Sequence, residues 1–358
     1  MDLDALADDI RAWGKELGFQ QVGVADTDLS DFAPDLRRWI ARGLHGTMGY
    51  MARNVDRRLH PERLVDSTIR IISARMNYMP GDSMPLMPEN DGSAYIARYA
   101  LGRDYHKTVR RRLARLAVRI NASVAGGRYR AFADSAPVLE KPLGEKAGIG
   151  WRGKNTLLLH EDAGSMFFLG EIYTNIPLPV SDAKARDQCG ACKACINVCP
   201  TGAIVGPRRL DARKCISYLT IEHKGAIPPE LREAVGSRVF GCDDCQLVCP
   251  WNRYAGKTAE SDFAPRHGLD SAGLAELLSW DESTFAAKTE GMALRRVNYR
   301  QWVRNLAVAA GNAPYAEELV GLLRRRRVAA DAMVAEHIDW ALARLRVSRC
   351  ERTVSGRT

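Results

Sequence analysis

Eight of the nine cysteines fall into two runs and one isolated position that together can hold iron. The first run is Cys189-Gly-Ala-Cys192-Lys-Ala-Cys195-Ile-Asn-Val-Cys199-Pro200, and the second is Cys242-Asp-Asp-Cys245-Gln-Leu-Val-Cys249-Pro250. Three thiolates spaced two residues apart wrap one face of a 4Fe–4S cubane, and a fourth that precedes a proline turns away to the neighbouring cluster. The second run lacks its leading cysteine, because Val239 stands there; Cys215, between the runs, supplies the eighth thiolate. The expected sets are Cys189, Cys192, Cys195 and Cys249 for one cluster, and Cys199, Cys215, Cys242 and Cys245 for the other. A zinc site would stop at C-x2-C pairs, and disulfides would need an oxidising compartment. Cys350, in an arginine-rich tail, is left as a spare thiol.

The chain has 358 residues, more than the roughly 250–300 at which single cores stop growing. Two or three domains are expected. Hydrophobic residues at 46% and charged ones at 27% describe an ordinary globular protein. No apolar stretch reaches the roughly 18 residues of a membrane span. The start, Met-Asp-Leu-Asp-Ala-Leu-Ala-Asp-Asp, is acidic, with neither a basic signal region nor a twin-arginine leader. The expected setting is cytoplasmic, where thiolates stay reduced. A net charge of +9 suits a polyanionic partner, and equally a basic solvated surface.

Three kinds of segment must position the cysteines. In residues 1–180, helical spacing at 6–17 and 105–121 alternates with strand-like runs at 21–25, 69–72, 129–133, 156–159 and 166–173. Between them lies a glycine-rich, functional-looking loop, Gly43 to Asn54, followed by Arg57 and Arg58. Residues 181–256 form the cysteine module, where little apolar core is expected because metal holds such units together. Residues 257–358 carry helices at 294–310, 316–325 and 329–345, with a run of arginines from Arg324 to Arg327. The expected fold is multidomain α+β: an α/β pocket domain, a ferredoxin-like two-cluster domain and an α-helical, HEAT-like segment.

Several segments together resemble the epoxyqueuosine reductases, the last enzymes of queuosine synthesis on tRNA. They are His45-Gly-Thr-Met-Gly-Tyr-Met-Ala-Arg-Asn54, Arg103-Asp-Tyr-His106, Asp134-Ser-Ala-Pro-Val-Leu-Glu-Lys141, Gly150-Trp-Arg-Gly-Lys-Asn155 and the cysteine runs with Cys249-Pro-Trp-Asn252. The likeness covers nearly the whole chain and weakens past residue 290. It implies a cobalamin beside two 4Fe–4S clusters, a first domain shared with reductive dehalogenases, and a tRNA substrate with aspartate-, asparagine-, histidine- or tyrosine-type anticodons. It implies reduction of an epoxide to an alkene with two electrons and two protons, the electrons coming from an external donor. With every module on one chain, a monomer suffices.

Residue roles follow from that resemblance together with side-chain chemistry. Asp134 is the expected proton donor, since a departing epoxide oxygen must become water. It ends an apolar strand, where pockets form, and partial burial against the ring would favour its acid form. The competing reading is an ordinary turn or cap aspartate before Ser135. Asp104-Tyr-His106 begins like the motif that gives cobalamin a lower histidine, but Val109 stands where that motif needs glycine. A base-off cobalamin is expected, with Asp104, Tyr105 and His106 at the substrate pocket. The second cluster should be the nearer one, so Cys242, Ser217 and Asp243 are expected at the cofactor. Arg57, Lys154 and Asn155 suit its phosphate and amides, and backbone near Ala97 approaches the ring. His223, Lys224, Arg295, Arg296 and Arg300 are the expected tRNA contacts. Two other readings compete: a reductive dehalogenase acting on a small molecule, and a ferredoxin-type electron carrier without catalysis.

Overall fold

The computed structural model describes residues 2–79, 87–182 and 185–355, with side chains as far as residue 347. The side chain of Cys350 therefore lies outside the described residues. The first region is built on a four-stranded sheet in the order Gln21–Ala25, Arg70–Asn77, Phe167–Thr174, Tyr129–Phe132. Every pairing in it is antiparallel. That corrects the expected α/β pocket domain to α+β, since an α/β layer needs parallel strands joined by crossovers.

Helices cover both faces of this sheet. The Leu3–Glu16 helix starts where the Asp2 side chain accepts from the amides of Asp4 and Ala5 at 3.0 and 3.1 Å. With the Tyr105–Ser123 helix it packs Leu6, Ile10, Val109, Leu113 and Leu116 against Ile72, Ala74 and Met76. The Glu140–Lys146 helix packs Leu143 on the opposite face, against Ile71 and Tyr173. The Arg70–Asn77 strand runs past the expected 69–72 because Ser73, Arg75 and Asn77 interrupt the apolar run at alternate positions. Arg75 is buried by donating to Asn77 Oδ1 and Gln21 Oε1, each at 3.0 Å. The expected strand at 156–159 shrinks to Leu158–Leu159, paired with Trp151–Arg152.

The cysteine module is made of short pieces. Helices Ala194–Val198 and Asp244–Leu247, one from each cysteine run, lie against each other. Strand Arg238–Phe240 pairs in parallel with Tyr95–Ile96 of the first region. The module holds more core than expected: Ala212, Ile216, Leu219, Ile227 and Val235 are buried together with Val308 of the last region.

The expected helix at 294–310 is broken. Asn298 accepts from the Gln301 amide and Gln301 Oε1 accepts from the Asn298 amide, a reciprocal cap that starts a new helix, Tyr299–Asn312. Residues Ala293–Arg296 form a separate 3-10 turn. Helices Glu317–Val328 and Ala332–Ser355 follow. Their core, around Trp302, Leu306, Leu323 and Ile338, is continuous with Ile96, Leu101, Val239 and Phe240. Among the described residues no helix is long and apolar enough to cross a membrane.

Candidate active site

Four of the eight thiols gather at one cavity, and the others adjoin them. Cys189, Cys192, Cys195 and Cys249 line one cavity of about 240 Å³. Burial raises the Cys195 thiol, and its next influences are Cys249, Cys189 and Cys192. Burial likewise raises Cys245, followed by Cys215, Asp243, Cys195 and Cys199, so the second group adjoins the first. Among the described residues no three His, Cys, Asp or Glu side chains converge tightly enough to hold a single metal ion. A wider thiol quartet suits a cubane, whose ligands attach to four separate irons. Cys192 is exposed, whereas the other seven are half-buried.

Cys215 of the second quartet opens onto a cavity of about 740 Å³. Cys215 and Ser217 form one wall, and Tyr105, His106 and Asp134 another. The Tyr105 ring stacks between Phe168, centroid 4.0 Å away, and His106, 4.1 Å away. Its hydroxyl donates to Asp134 Oδ2 at 2.5 Å. Burial, and then the nearby Asp134 charge, push the phenol well above its ordinary range, so it remains a donor. His106 is held by Asp104, whose Oδ1 lies 2.6 Å from Nδ1, and its Nε2 is 3.8 Å from Asp134 Oδ2. Asp104 also caps the helix, accepting from the His106 amide at 3.1 Å.

Asp134 follows the edge strand with a backbone φ of +49°, a left-handed conformation that costs roughly 1 kcal/mol or more in a residue with a Cβ. Its amide is held by Glu140 Oε1 at 2.7 Å. The side chain is 58% exposed to the cavity, more open than the partial burial expected. Also lining the cavity, Arg296 makes a two-pronged ion pair with Glu222 at 2.9 and 3.0 Å, and its guanidinium lies 5.9 Å from the centre of the Tyr50 ring.

Other expected site residues stand elsewhere. Arg57 is exposed, and its neighbour Arg58 is the one buried at the cavity. Both sit on the Val55–Leu59 helix, where consecutive side chains point about 100° apart, so only one can face inward. Lys154 and Asn155 line the first quartet's cavity. Lys154 Nζ donates to the carbonyls of Gly190 and Cys192, the latter at 2.8 Å, and Asn155 to that of Cys245 at 3.2 Å. Asp243 is buried behind the wall, accepting from the Tyr95 hydroxyl at 2.9 Å and the Arg98 amide at 2.8 Å. Ala97 is beside it, packed so near Gly241 that a Cβ there would lie 2.5 Å from its methyl. Arg300 pairs with Asp331 at 2.6 Å in a different groove. Arg295 and Lys224 are exposed; His223 Nε2 meets the Ala226 carbonyl at 2.9 Å.

Residues outside the expected set hold the walls together. Gly46 has φ +58°, and a Cβ on it would strike the Tyr218 hydroxyl, which instead meets the Thr47 amide at 2.8 Å. This contact docks the Gly43–Asn54 loop onto the segment after Cys215. Arg304, fully buried, donates to the carbonyls of Leu219, His223 and Gly225 at 2.7–2.8 Å. Asn305 donates to Thr220 and Val239 carbonyls. Arg304 and Asn305 were visible in the sequence only as polar interruptions of an apolar helix. Asn252, just past the second Cys-Pro, binds the Ser165 amide at 2.6 Å and the Gln246 carbonyl at 2.7 Å.

The family model described as "Epoxyqueuosine reductase QueG, DUF1730" matches residues 58–135, and that of the "4Fe-4S double cluster binding domain" matches residues 188–252. The epoxyqueuosine reductase of Pseudomonas aeruginosa is 56% identical over 340 residues, covering 95% of this chain and 94% of that protein. That of Escherichia coli is 51% identical over 344 residues, covering 96% and 90%. An epoxyqueuosine reductase crystallised with an epoxyqueuosine-modified tyrosine tRNA stem loop superposes with a TM-score of 0.87 at 26% identity, covering 96% of this chain and 91% of that one. The enzyme of Streptococcus thermophilus gives 0.84 at 26% identity, covering 94% and 89%. With a two-cluster module beside a carboxylate-bearing cavity, and relatives this similar along nearly its full length, the chain belongs to the epoxyqueuosine reductase family.

Proposed function

We propose that this protein reduces epoxyqueuosine to queuosine at the wobble position of tRNA, converting the epoxide to an alkene. The observation that carries this reading is that Cys215 of the second thiol quartet and the Asp134 carboxyl open onto one cavity. Electrons and protons are thereby brought to the same place. The relatives' activity and the stem loop bound by one of them supply the substrate.

Electrons enter from an external donor at the first quartet, where Cys192 is exposed, and leave from the second, at the cavity wall. Lys154, on the carbonyls of Gly190 and Cys192, holds a positive charge beside the first cluster, and the Arg238–Asp244 ion pair is buried beside Cys242. Both are levers on cluster potential.

A cobalamin suits the large cavity. Its walls include Met48, Met51 and Val138, and the buried Arg58 Nε there has no partner, a donor that an amide on a corrin rim would satisfy. Cobalamin supplies the one-electron steps that link iron–sulfur carriers to a two-electron change in substrate. Among the described residues on the wall, His106 is the one histidine, and its Nδ1 is tied to Asp104. That supports a base-off cofactor. Arg58 and Ser217, which both line the cavity, would hold it. Asp243 and Ala97 set the backbone behind the second quartet.

Asp134 gives the proton to the departing oxygen, with Tyr105 fixing its carboxyl and His106 beside it. In the chain's division of labour, residues 1–180 form the pocket, 181–256 the conduit, and the HEAT-like helices of 257–358 the tRNA platform. Arg295, Lys224 and His223 meet phosphates near the cavity mouth, with Arg296 at its edge and Arg300 further out. A single chain contains all the parts. Incubating the reconstituted protein with epoxyqueuosine-containing tRNA, cobalamin and a reductant, then analysing nucleosides by mass, should show queuosine. Unchanged epoxyqueuosine would reject the assignment.

A further inference from the structure

Two carboxyl groups behind Asp134 are not used by the reaction as described so far. Glu140 is on the cavity wall and its Oε1 accepts from the Asp134 amide at 2.7 Å. Glu171 lies deeper, 0% exposed on the central Phe167–Thr174 strand, paired in register with Phe132. Among the described residues, neither of its carboxyl oxygens has a hydrogen-bond partner, and both are buried. A carboxyl buried in a sheet core without a donor favours its neutral form, and a second carboxyl nearby strengthens that preference. Both carboxyls therefore favour their protonated forms. Burial, and then the charge of Asp134, push Glu140 up to about 8. Burial, and then Glu140, push Glu171 well above the carboxylate range. Arg58 and Lys141 oppose the shift of Glu140 without cancelling it.

We propose that Glu140 and Glu171 form the proton store of this site and resupply Asp134 within a turnover. The proposal rests on the function given above and deepens it. Epoxide reduction breaks two C–O bonds, forms one C=C bond, and releases the oxygen as water. The change takes two electrons, from the external one-electron donor through the clusters, and two protons. Asp134 delivers the first proton and is left as a carboxylate. The adjoining Glu140 acid transfers its proton to that carboxylate, which delivers it to the oxygen as the second. Glu171 keeps its own proton, and solvent reprotonates Glu140 through the open cavity. Glu140 acts through Asp134 and is a positioning and proton-supplying residue.

The test has one arm that needs neither cofactor nor substrate. Infrared titration of the full chain should show a protonated-carboxyl band that survives at pH 7 and is lost near pH 8 in the wild type. In Glu140→Gln that band should change, with iron content and circular dichroism unaltered. Absence of any protonated carboxyl above pH 6 would overturn the store. In the second arm, Glu140→Gln should lose about 100-fold in turnover and lose the alkaline limb of the pH–rate profile, while Glu140→Asp recovers part of the rate. An active wild type with an unaltered rate and pH profile in Glu140→Gln overturns the proposal alone. A wild type that leaves the epoxide intact overturns the assigned function, and the infrared arm still decides whether the store exists. Should Glu140→Gln not fold, Glu171→Gln, which leaves the cavity wall in place, serves in both arms with the same expectations.

Discussion

The Tyr105 hydroxyl and the Asp134 carboxylate are joined by a 2.5 Å hydrogen bond that spans from a helix start to a strand end. The ring of Tyr105 cannot tilt, because Phe168 stacks on it at an interplanar angle of 3°. The carboxyl is therefore aimed by a rigid donor. Asp134→Asn keeps the shape but removes the transferable proton, and turnover should fall by about 10²- to 10⁴-fold. Tyr105→Phe removes only the aiming hydrogen bond, and should cost about tenfold. Initial rates at matched cluster content check both; full activity in Asp134→Asn would remove it as the acid.

On the proposed assignment, Cys215→Ala removes a ligand from the second quartet and none from the first. Iron should fall from about eight atoms per chain to about four. An unchanged iron count would refute the assignment of Cys215.

Buried His337 has Nε2 accepting from the Ile227 amide at 3.0 Å and Nδ1 facing the Met333 carbonyl at 2.7 Å. Only the neutral ring can do both. Burial lowers it from 6.5 to about 4, Arg232 and Arg304 add to that, and Glu336 opposes it. Between those pH values the unfolded chain binds a proton that the folded chain does not, so stability rises with pH from about 4 to 6.5 and is lost as pH falls through that window. Thermal denaturation across the window should show a steeper slope in wild type than in His337→Gln.

Arg304→Met would leave the Leu219, His223 and Gly225 carbonyls without their donor. Stability should drop by about 3 kcal/mol, read by denaturant titration. The loss should be largest for probes placed near Cys215.

On the proposed contacts of Lys224, Arg295 and their neighbours with phosphate, binding of tRNA should weaken with salt. Arg295→Ala should reduce the slope of log affinity against log salt by about 1, with little dependence on the anticodon. Filter binding at several salt concentrations measures this; an unchanged slope would take Arg295 off the RNA.

The double-cluster module was legible because cubane geometry imposes a fixed local spacing, and spacing is what a sequence records. The Tyr105–Ser123 helix was legible from its apolar period. The antiparallel order of the sheet was not, since alternation of strands and helices says nothing about which strands become neighbours. The choice between Arg57 and Arg58 turned on helical phase in a five-residue helix, too short to show a period. Lys154 and Asn155 carry donors that suit a phosphate or an amide equally well as a backbone carbonyl, and tertiary placement gave them the carbonyls. Glu140 passed unremarked inside a quoted motif, because its role depends on Glu171, a strand residue 31 positions away. The break at Asn298 was readable: an asparagine followed three residues later by glutamine is a capping signature, and the apolar run around it obscured it.

Arg304 and Asn305 grip the same stretch of backbone that carries Cys215, Ser217 and Tyr218. Helix, conduit and pocket wall are therefore mechanically one piece. Oxygen damage that strips iron from the second quartet would interrupt current and also slacken the surface on which the nucleoside must rest. Air-exposed protein should accordingly lose its grip on RNA along with its redox activity.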